Sequence, residues 1–529
     1  MITEGSYPFY TGGVAVWCDR LITDLPRVRF SVVGLVGSPE VALQYKIPDN
    51  VVATWRVPLW GIREVLEVRD RLTLRDIRAR RRRTTESIVR AEFVPSLEEF
   101  IGELYADAPD LGRFARAIHR MYRFFTAYDF DTALRSRSCW ASFAALARDR
   151  FAAAASACGY ADARFSLADL TEGLTWLSRW LIPIAVELPR VDVVHAVSAG
   201  LSSMPAVASK LEHGTPFLLT EHGVYLRERY LLEGSTSSSF FLKFLGLRFA
   251  RRITELSYVL ADQISPGSKY NQRWERRGGA RAEQLKTIYN GVDPASFSPA
   301  GDVREGPPTV VWVGRITPIK DLVTLLRAAS LVKRSRPDVR FKLYGAAPKG
   351  DEDYFERCVS LRTELGIADT VEFAGFAPSA EAAFNEADVV VLSSISEGFP
   401  YSVVEAMLCA KPIVATAVGG VPEAIEGCGI AVEPRNPSAM ASALLELAGD
   451  PARSRRLGQA ARAKASREFN LAQCSAAYED AYRRLAARTG SATALDAVSA
   501  ARVEALPEFS LPAVAIAIAQ PATQWDGAG

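Results

Sequence analysis

Two glutamates in the stretch SSISEGFPYSVVEAMLC (393–409) are the first residues whose types and spacing suggest chemistry. Glu397 follows an apolar run that ends in serines, and Glu405 comes eight positions later inside a short, apolar, helix-like segment. A carboxylate at such a place is costly unless hydroxyls or cations satisfy it, and a pair of vicinal sugar hydroxyls would do so. Gly398 leaves the backbone open to a ligand, and Pro400 suits the first turn of a helix running to about residue 409. A glutamate reaching solvent from an open helix face explains one such carboxylate more readily than two.

Three further stretches carry candidate groups. In VGRITPIKD (313–321), Arg315 follows an apolar run and Lys320 comes five residues later, before a helical pattern. A guanidinium at a strand end and an ammonium at the next helix start can neutralise a diphosphate, helped by that helix's free N–H groups. Taken alone, the two are more often a surface charge pair. His222 in TEHGVYLRER (220–229) ends the apolar run PFLLT and precedes a glycine, where it can donate to or polarise a substrate oxygen. A lone histidine is more often structural. Gly12 and Gly13 in SYPFYTGGVAVW (6–17) open a helical pattern and can lay N–H groups against phosphate, but they do not form GxGxxG and are weak evidence alone.

These groups all fall where β-branched runs give way to helical patterns. In the second half the runs are TVVWVGR (309–315), RFKLYGA (340–346), TVEFAGF (370–376), DVVVLSS (388–394), PIVATAV (412–418) and GIAVEP (429–434). Continuous apolar strands alternating with helices predict a parallel sheet covered on both faces, with ligands at the strands' carboxyl ends. The first half repeats the pattern less clearly at RFSVVGLVG (29–37), DVVHAVS (192–198), PFLLTEHG (216–223) and YVLADQIS (258–265). Between them, about 60–185 reads as a helical insertion, with Leu97, Phe100, Ile101 and Leu104 on one face and Ser96 with Glu99 as a capping box. Leu177, Trp180 and Leu181 repeat the spacing. The fold class expected is α/β, two doubly wound Rossmann-like domains facing a cleft suited to a ligand with two unlike ends. SPAGDVREGPP (298–308) reads as the linker between them.

Composition limits the alternatives. The 529 residues are 49% hydrophobic and 23% charged, as in ordinary globular proteins, and 63 Lys plus Arg against 61 Asp plus Glu give a formal charge of +2. That balance argues against a nucleic-acid partner held by a basic field. Seven scattered cysteines, with no CxxC and only four histidines, argue against a zinc site or a disulfide framework. No signal-peptide layout and no apolar run of about 18 residues is present, so a cytoplasmic location is expected. The basic run RDIRARRRR (75–83) could dock an anionic membrane or an acidic partner, although a solvated helix face is the commoner reading.

Together GGV, TEHG, NGVD, GR-x4-K and E-x7-E resemble the retaining nucleotide-sugar glycosyltransferases of family 4, with the GT-B fold, and within them PelF-like proteins of exopolysaccharide synthesis. TEGSYPFYTGGVAVW, LLTEHGVYLRER, VGRITPIKD, GDEDYFERC and SISEGFP carry the similarity, which covers about residues 3–37 and 190–485. The insertion matches in position and character only. The resemblance implies an acceptor-side domain at 1–297, a nucleotide-sugar domain at 298–468, a return helix at 469–488 and a disordered tail at 489–529.

It also implies roles. Arg315 and Lys320 would bind the donor diphosphate, Glu405 the ribose hydroxyls, and Glu397 the sugar, with the backbone of Gly398 and Phe399 nearby. His222 would touch the sugar near its reacting face, Gly12 and Gly13 would meet the phosphates, and Gly375 and Phe376 would neighbour the base. The activity implied is metal-independent, retaining hexosyl transfer from a nucleotide sugar, UDP-glucose being the expected donor, to a polysaccharide or related acceptor. No cofactor is implied, in keeping with the lack of a DxD motif beside a metal-ligand cluster. A membrane-associated synthase complex is a candidate partner, which would place the chain peripherally at the inner face.

Two departures from the family pattern stand out. A strand normally precedes TEG, whereas this chain begins MITEG, so either the first strand is nearly absent or the start site is misplaced, the second being the favoured expectation. Tyr401 and Ser402 stand where relatives carry small or aliphatic residues, and would tune the acceptor or sugar pocket. The competing readings are a catalytically idle nucleotide-sugar scaffold and a sugar-nucleotide epimerase. The intact Arg315, Lys320, Glu397 and Glu405 speak against the first and the scarcity of histidines against the second. A nicotinamide-dependent oxidoreductase fails for want of GxGxxG.

Overall fold

The computed structural model of the chain describes residues 1–62, 72–157, 160, 163–235, 238–300 and 306–488. They form two units. The first takes Met1–Pro266, Gln272–Lys286 and the chain again from Glu479; the second takes Gly267–Asn271 and Thr287–Tyr478.

In the first unit, strands β1 (Ile2–Glu4), β2 (Phe30–Val36), β3 (Val51–Pro58), β4 (Val194–Ala196), β5 (Phe217–Glu221) and β6 (Gln263–Pro266) form one sheet in the order β3-β2-β1-β4-β5-β6. Every pairing is parallel. β1 is only three residues long yet central, with Ile2 in register with Val33 of β2 and Ala196 of β4. β3 was not among the expected strands. Its residues alternate between half-buried and exposed, as suits an edge strand, so its apolar signal is diluted.

The run 258–265 was expected as a strand, but its first three residues close the helix Phe240–Leu260. Leu242, Leu245, Phe249, Ile253, Leu256 and Leu260 continue a helical stripe into that run, and the stripe prevails over local β-propensity.

Between β3 and β4 lie the helices Leu74–Arg83, Val94–Tyr105, Leu111–Ala127, Arg137–Ala157 and Leu167–Ala185. Leu97, Phe100, Ile101 and Leu104 are buried, and Phe100 stacks on Phe114 at 4.8 Å. The expected capping box of Ser96 and Glu99 does not form. Helix upstream runs into this segment through a π-helical turn at Val89–Phe93, so Ser96 lies inside the helix. Its hydroxyl accepts from Arg120 (3.1 Å), while Glu99 pairs with Arg113 (3.3 Å) and Arg120. The buried Arg252 of helix Phe240–Leu260 donates to the Glu103 carbonyl at 3.0 Å and pairs with Glu255 at 2.6 Å. That contact closes the C-terminal end of helix Val94–Tyr105, tying the insertion to the sheet's own helix.

The second unit holds β7 (Thr309–Val313), β8 (Arg340–Tyr344), β9 (Val371–Gly375), β10 (Val389–Leu392), β11 (Ile413–Thr416) and β12 (Gly429–Val432), in the order β12-β11-β10-β7-β8-β9. It is the same doubly wound order as the first. Val311 and Leu392 face one buried cluster, while Val310, Trp312 and Val391 face the other, so each run is apolar throughout because both faces are covered.

The chain enters this unit at Thr287, ahead of the linker expected at 298–308. NGVD is already seated there. Val292 bridges to Asn470, and a Cβ on Gly291 would stand 2.5 Å from the Leu471 Cα. Ser298 and Ala300 are bound to helix Ala380–Asn385 through Glu381 and Asn385. Residues 301–305 and the expected disordered tail at 489–529 lie outside the described residues. The return helix runs Leu471–Ala486.

Candidate functional site

In a doubly wound sheet the strand order reverses at one point, and the loops leaving the strands there border a crevice. In the second unit that point lies between β7 and β10. The loop after β7 carries Gly314, Arg315 and, in a 3₁₀ turn Pro318–Lys320, the lysine. The loop after β10 carries Ser393, Ser394, Glu397 and Gly398. Two hydrogen bonds join the loops: the Ile395 amide donates to the Ile319 carbonyl at 2.9 Å, and the Ser393 hydroxyl to the Lys320 carbonyl at 2.7 Å. On that frame Lys320 Nζ meets Glu397 Oε1 at 2.6 Å, and the Ser394 hydroxyl donates to the same oxygen at 2.6 Å. Both charged side chains are mostly covered, at 19% and 11% exposure. Lys320 keeps two of its three N–H donors for another acceptor.

The next residue, Asp321, adopts φ +46° and caps helix Leu322–Ser335, accepting from the Thr324 amide at 3.2 Å and hydroxyl at 2.6 Å. Nearby, the Thr317 hydroxyl is buried with no hydrogen-bond partner among the described residues. Arg315 is exposed and makes no ion pair among the described residues.

Behind Glu397 the loop rests on Gly419 and Gly420. Gly419 has φ +56°, and a Cβ there would overlap the Glu397 carbonyl oxygen, while the Gly420 amide donates to the Gly398 carbonyl at 2.8 Å. Phe399 turns inward against Tyr289 (5.1 Å) and Phe469 (5.0 Å), so only its backbone faces the loop. Pro400 is the N-cap of helix Tyr401–Leu408, one place earlier than expected. Val403, Val404, Met407 and Leu408 are buried, leaving Tyr401, Ser402 and Glu405 half-buried on the remaining face. At the end of β9, Gly375 has φ +66° and its carbonyl accepts from the Gly345 amide at 2.7 Å. Phe376 beside it is 83% exposed, a large apolar face with nothing laid over it.

One unit therefore holds Arg315, Lys320, Gly375, Phe376, Glu397, Gly398, Phe399 and Glu405. Gly12, Gly13 and His222 belong to the other. Gly12, at φ 153°, precedes helix Gly13–Asp24, whose first turn has no side-chain cap and keeps its N–H groups open. Trp17 of that helix packs edge-on against the His222 ring at 4.5 Å. His195 in β4 is structural: Nδ1 meets the Tyr482 hydroxyl at 2.7 Å and Nε2 the Thr220 hydroxyl at 2.8 Å.

Two carboxylates at strand ends escaped sequence reasoning, although both close apolar runs as Glu397 does. Glu4 ends β1 beside that sheet's own reversal point and accepts from the Ser202 amide at 3.3 Å. Burial raises its pKa, against the pull of Ser202 and of Arg229. Glu221 ends β5 immediately before His222. The sequence TE at each strand end was the available signal. Among the described residues no three His, Cys, Asp or Glu side chains are grouped to hold a metal ion, and no helix is long and apolar enough to cross a membrane.

Residues 307–450 match the family described as glycosyl transferases group 1. The D-inositol 3-phosphate glycosyltransferase of Kineococcus radiotolerans is 32% identical over 231 residues, covering 39% of this chain and 53% of the relative. That of Streptomyces avermitilis is 30% identical over 289 residues, covering 51% of this chain and 60% of the relative. The chain thus spans little more than half the length of these relatives. Among solved structures, sucrose-phosphate synthase from Thermosynechococcus elongatus aligns with 92% of this chain and 100% of its own, at TM-score 0.57 and 17% identity. Anabaena HepE in complex with UDP and glucose aligns with 91% of this chain and 99% of its own, at TM-score 0.55 and 17% identity. The shared feature at that identity is the fold, the two-domain α/β architecture of GT-B glycosyltransferases. Residues 1–283 match the family described as Domain of unknown function (DUF3492), and by that match, over more than half its length, the chain belongs to the DUF3492 family, continued by a group 1 glycosyl transferase segment.

Proposed function

We propose that the chain is a retaining glycosyltransferase that moves a hexose from a nucleotide sugar, UDP-glucose in the first instance, to a saccharide acceptor in exopolysaccharide synthesis. The observation that carries this reading is the ion pair of Lys320 and Glu397, set by two hydrogen-bonded loops at the reversal point of the second sheet. The group 1 match over the same loops supports it.

In this reading Lys320 and Arg315 meet the diphosphate. As the bond from the anomeric carbon to the phosphate oxygen breaks, negative charge grows on the leaving group, and fixed cations stabilise that charge more than they stabilise the bound donor. The N-terminal end of helix Tyr401–Leu408 adds the positive pole of its dipole. Glu397 accepts from sugar hydroxyls, Glu405 from the ribose, and the open face of Phe376 takes the base. In the first unit, His222 acts on the sugar near its reacting carbon and the amides of Gly12 and Gly13 on phosphate. The acceptor hydroxyl attacks from the leaving-group face and gives its proton to the departing phosphate, so no protein nucleophile and no metal takes part.

Titration with UDP followed by thermal unfolding tests the donor site. A ligand at 100 times its Kd stabilises by about 2.7 kcal/mol, and hydrogen exchange should slow in peptides spanning 314–321 and 393–409. No shift at millimolar UDP overturns the donor assignment. A hydrolysis screen across nucleotide sugars then names the sugar. Binding without turnover of any of them would point instead to a nucleotide-sugar-binding scaffold.

A further inference from the structure

Glu275 lies in the short helix Gln272–Arg277 of the first unit, 0% exposed, and neither of its carboxylate oxygens receives a hydrogen bond from the described residues. An anion buried without a donor is not tolerated, and the ordinary escape is to bind a proton. A neutral carboxyl then needs an acceptor for its O–H, and the neighbour in hydrogen-bonding reach is Glu221. Glu221 is itself fully buried and is supplied with donors: the Tyr258 hydroxyl at 2.5 Å and the Tyr225 amide at 3.1 Å. Two donors on Glu221 and none on Glu275 divide the charge between them, Glu221 taking the anion's share although burial raises its pKa to about 7, and Glu275 the acid's.

Glu221 also closes the exit of β5. Its side chain caps the first residue of helix Tyr225–Ser235, so residues 222–224 form a loop fixed at both ends. His222 sits in that loop. Gly223 has no Cβ because the Glu228 carboxylate packs where one would stand, and the Tyr225 ring lies over Gly200 in the same way.

We propose that Glu275 is a positioning residue, whose proton, donated to Glu221, holds the exit loop of β5 and with it His222. The activity arm of the test rests on the transferase reading above. The groups facing the pair are Glu228 from helix Tyr225–Ser235, Tyr258 from helix Phe240–Leu260, and Arg276 beside Glu275. Burial first, and then the charge of Glu221, raise the Glu275 pKa well above its ordinary 4.5, with Arg276 the opposing influence. The folded state therefore holds a proton that the unfolded state releases above about pH 4.5. Stability from this group is full below that value and is lost as pH rises toward the folded pKa.

Two variants separate the outcomes. E275Q keeps an N–H donor for Glu221 but does not titrate; E275A leaves Glu221 short of a donor. With wild type at neutral pH, the infrared spectrum should contain a protonated-carboxyl C=O band that E275Q lacks. As pH rises, wild type should lose melting temperature relative to E275Q, and its kcat should show an alkaline limb that E275Q removes. E275A should lower kcat about tenfold or more, the effect of losing a hydrogen bond to a charged group, with E275Q restoring it. Absence of the band, or an alkaline limb unchanged in E275Q, overturns the proposal. So does an E275A enzyme equal to E275Q at every pH. If no nucleotide sugar is turned over, the infrared band and the pH-dependent stability difference still decide the pair, whereas the UDP titration decides the transferase reading.

Discussion

In the proposed reading, Lys320 is the residue on which the second unit's chemistry turns. Its ammonium is held by Glu397 at 2.6 Å and its carbonyl by Ser393 at 2.7 Å, so the side chain starts from a fixed root and ends on a fixed partner. Such a cation needs little reorganisation when charge develops on a departing phosphate, which is where electrostatic catalysis gains most. K320A should therefore lower kcat/KM for a nucleotide sugar about 10²–10³-fold, the loss typical of one preorganised charge-stabilising group. Because Glu397 is only 11% exposed, K320A also leaves a covered carboxylate without its cation. The double variant K320A/E397Q should then be less destabilised than the two single changes predict, by about 0.5–3 kcal/mol of coupling. Denaturant midpoints for the four proteins measure it, and additive effects would mean the pair is incidental. Arg315, Lys320 and Glu397 stood out as candidates in sequence because charge just past an apolar run is conspicuous, and Glu405 because it interrupts an apolar helical segment. Their mutual arrangement was not, since it depends on which loops the strand order brings together.

At the scale of elements, the loops that hold these groups depend on glycines as much as on side chains. Gly419 has φ +56° and its absent Cβ is where the Glu397 carbonyl oxygen sits. Gly427, at φ +75°, has nothing within 4 Å of a Cβ. Alanine at either position strains the backbone, but only G419A must also push the Glu397 loop away from β11. G427A should cost about 1 kcal/mol and keep full activity, whereas G419A should cost at least about 2 kcal/mol, roughly 5 °C in Tm, and lose activity with it. Calorimetry and a turnover assay on both variants check this, and equal behaviour would remove the overlap as a cause. The same scale shows what sequence patterns reveal. β7, β10 and β11 were readable because burial on both faces makes a strand continuously apolar. β3 was not, because an edge strand is half exposed, and the segment at 258–265 misled because its helical stripe is set by residues well upstream. The misplaced cap at Ser96 has the same origin, since whether a serine starts a helix depends on whether the chain before it is already helical.

At the scale of the molecule, the chain visits the first unit, builds the second, and returns at Glu479, and the return is fastened by a titratable group. Tyr482 donates to or accepts from His195 at 2.7 Å and lies edge-on to Phe30, while Arg484 donates to Gln263 at 3.0 Å. The anchors thus sit on β4, β2 and β6 of one sheet. None of this was visible in sequence, where residues 469–488 read only as a helix, because a contact spanning 287 positions leaves no local pattern. His195 is buried with hydroxyls on both ring nitrogens, and burial holds its pKa well below the ordinary 6.5. The folded state therefore binds fewer protons than the unfolded state once pH falls through 6.5, and stability must fall with it. The slope approaches about 1.4 kcal/mol per pH unit for one proton. H195Q removes the titration while keeping a donor and an acceptor, so its unfolding free energy should run flatter than that of wild type below about pH 6.5. Urea midpoints at matched pH values read the difference directly. Parallel curves would place the protonation elsewhere, whereas converging curves on the acid side would mark His195 as the group through which mild acid loosens the returning chain.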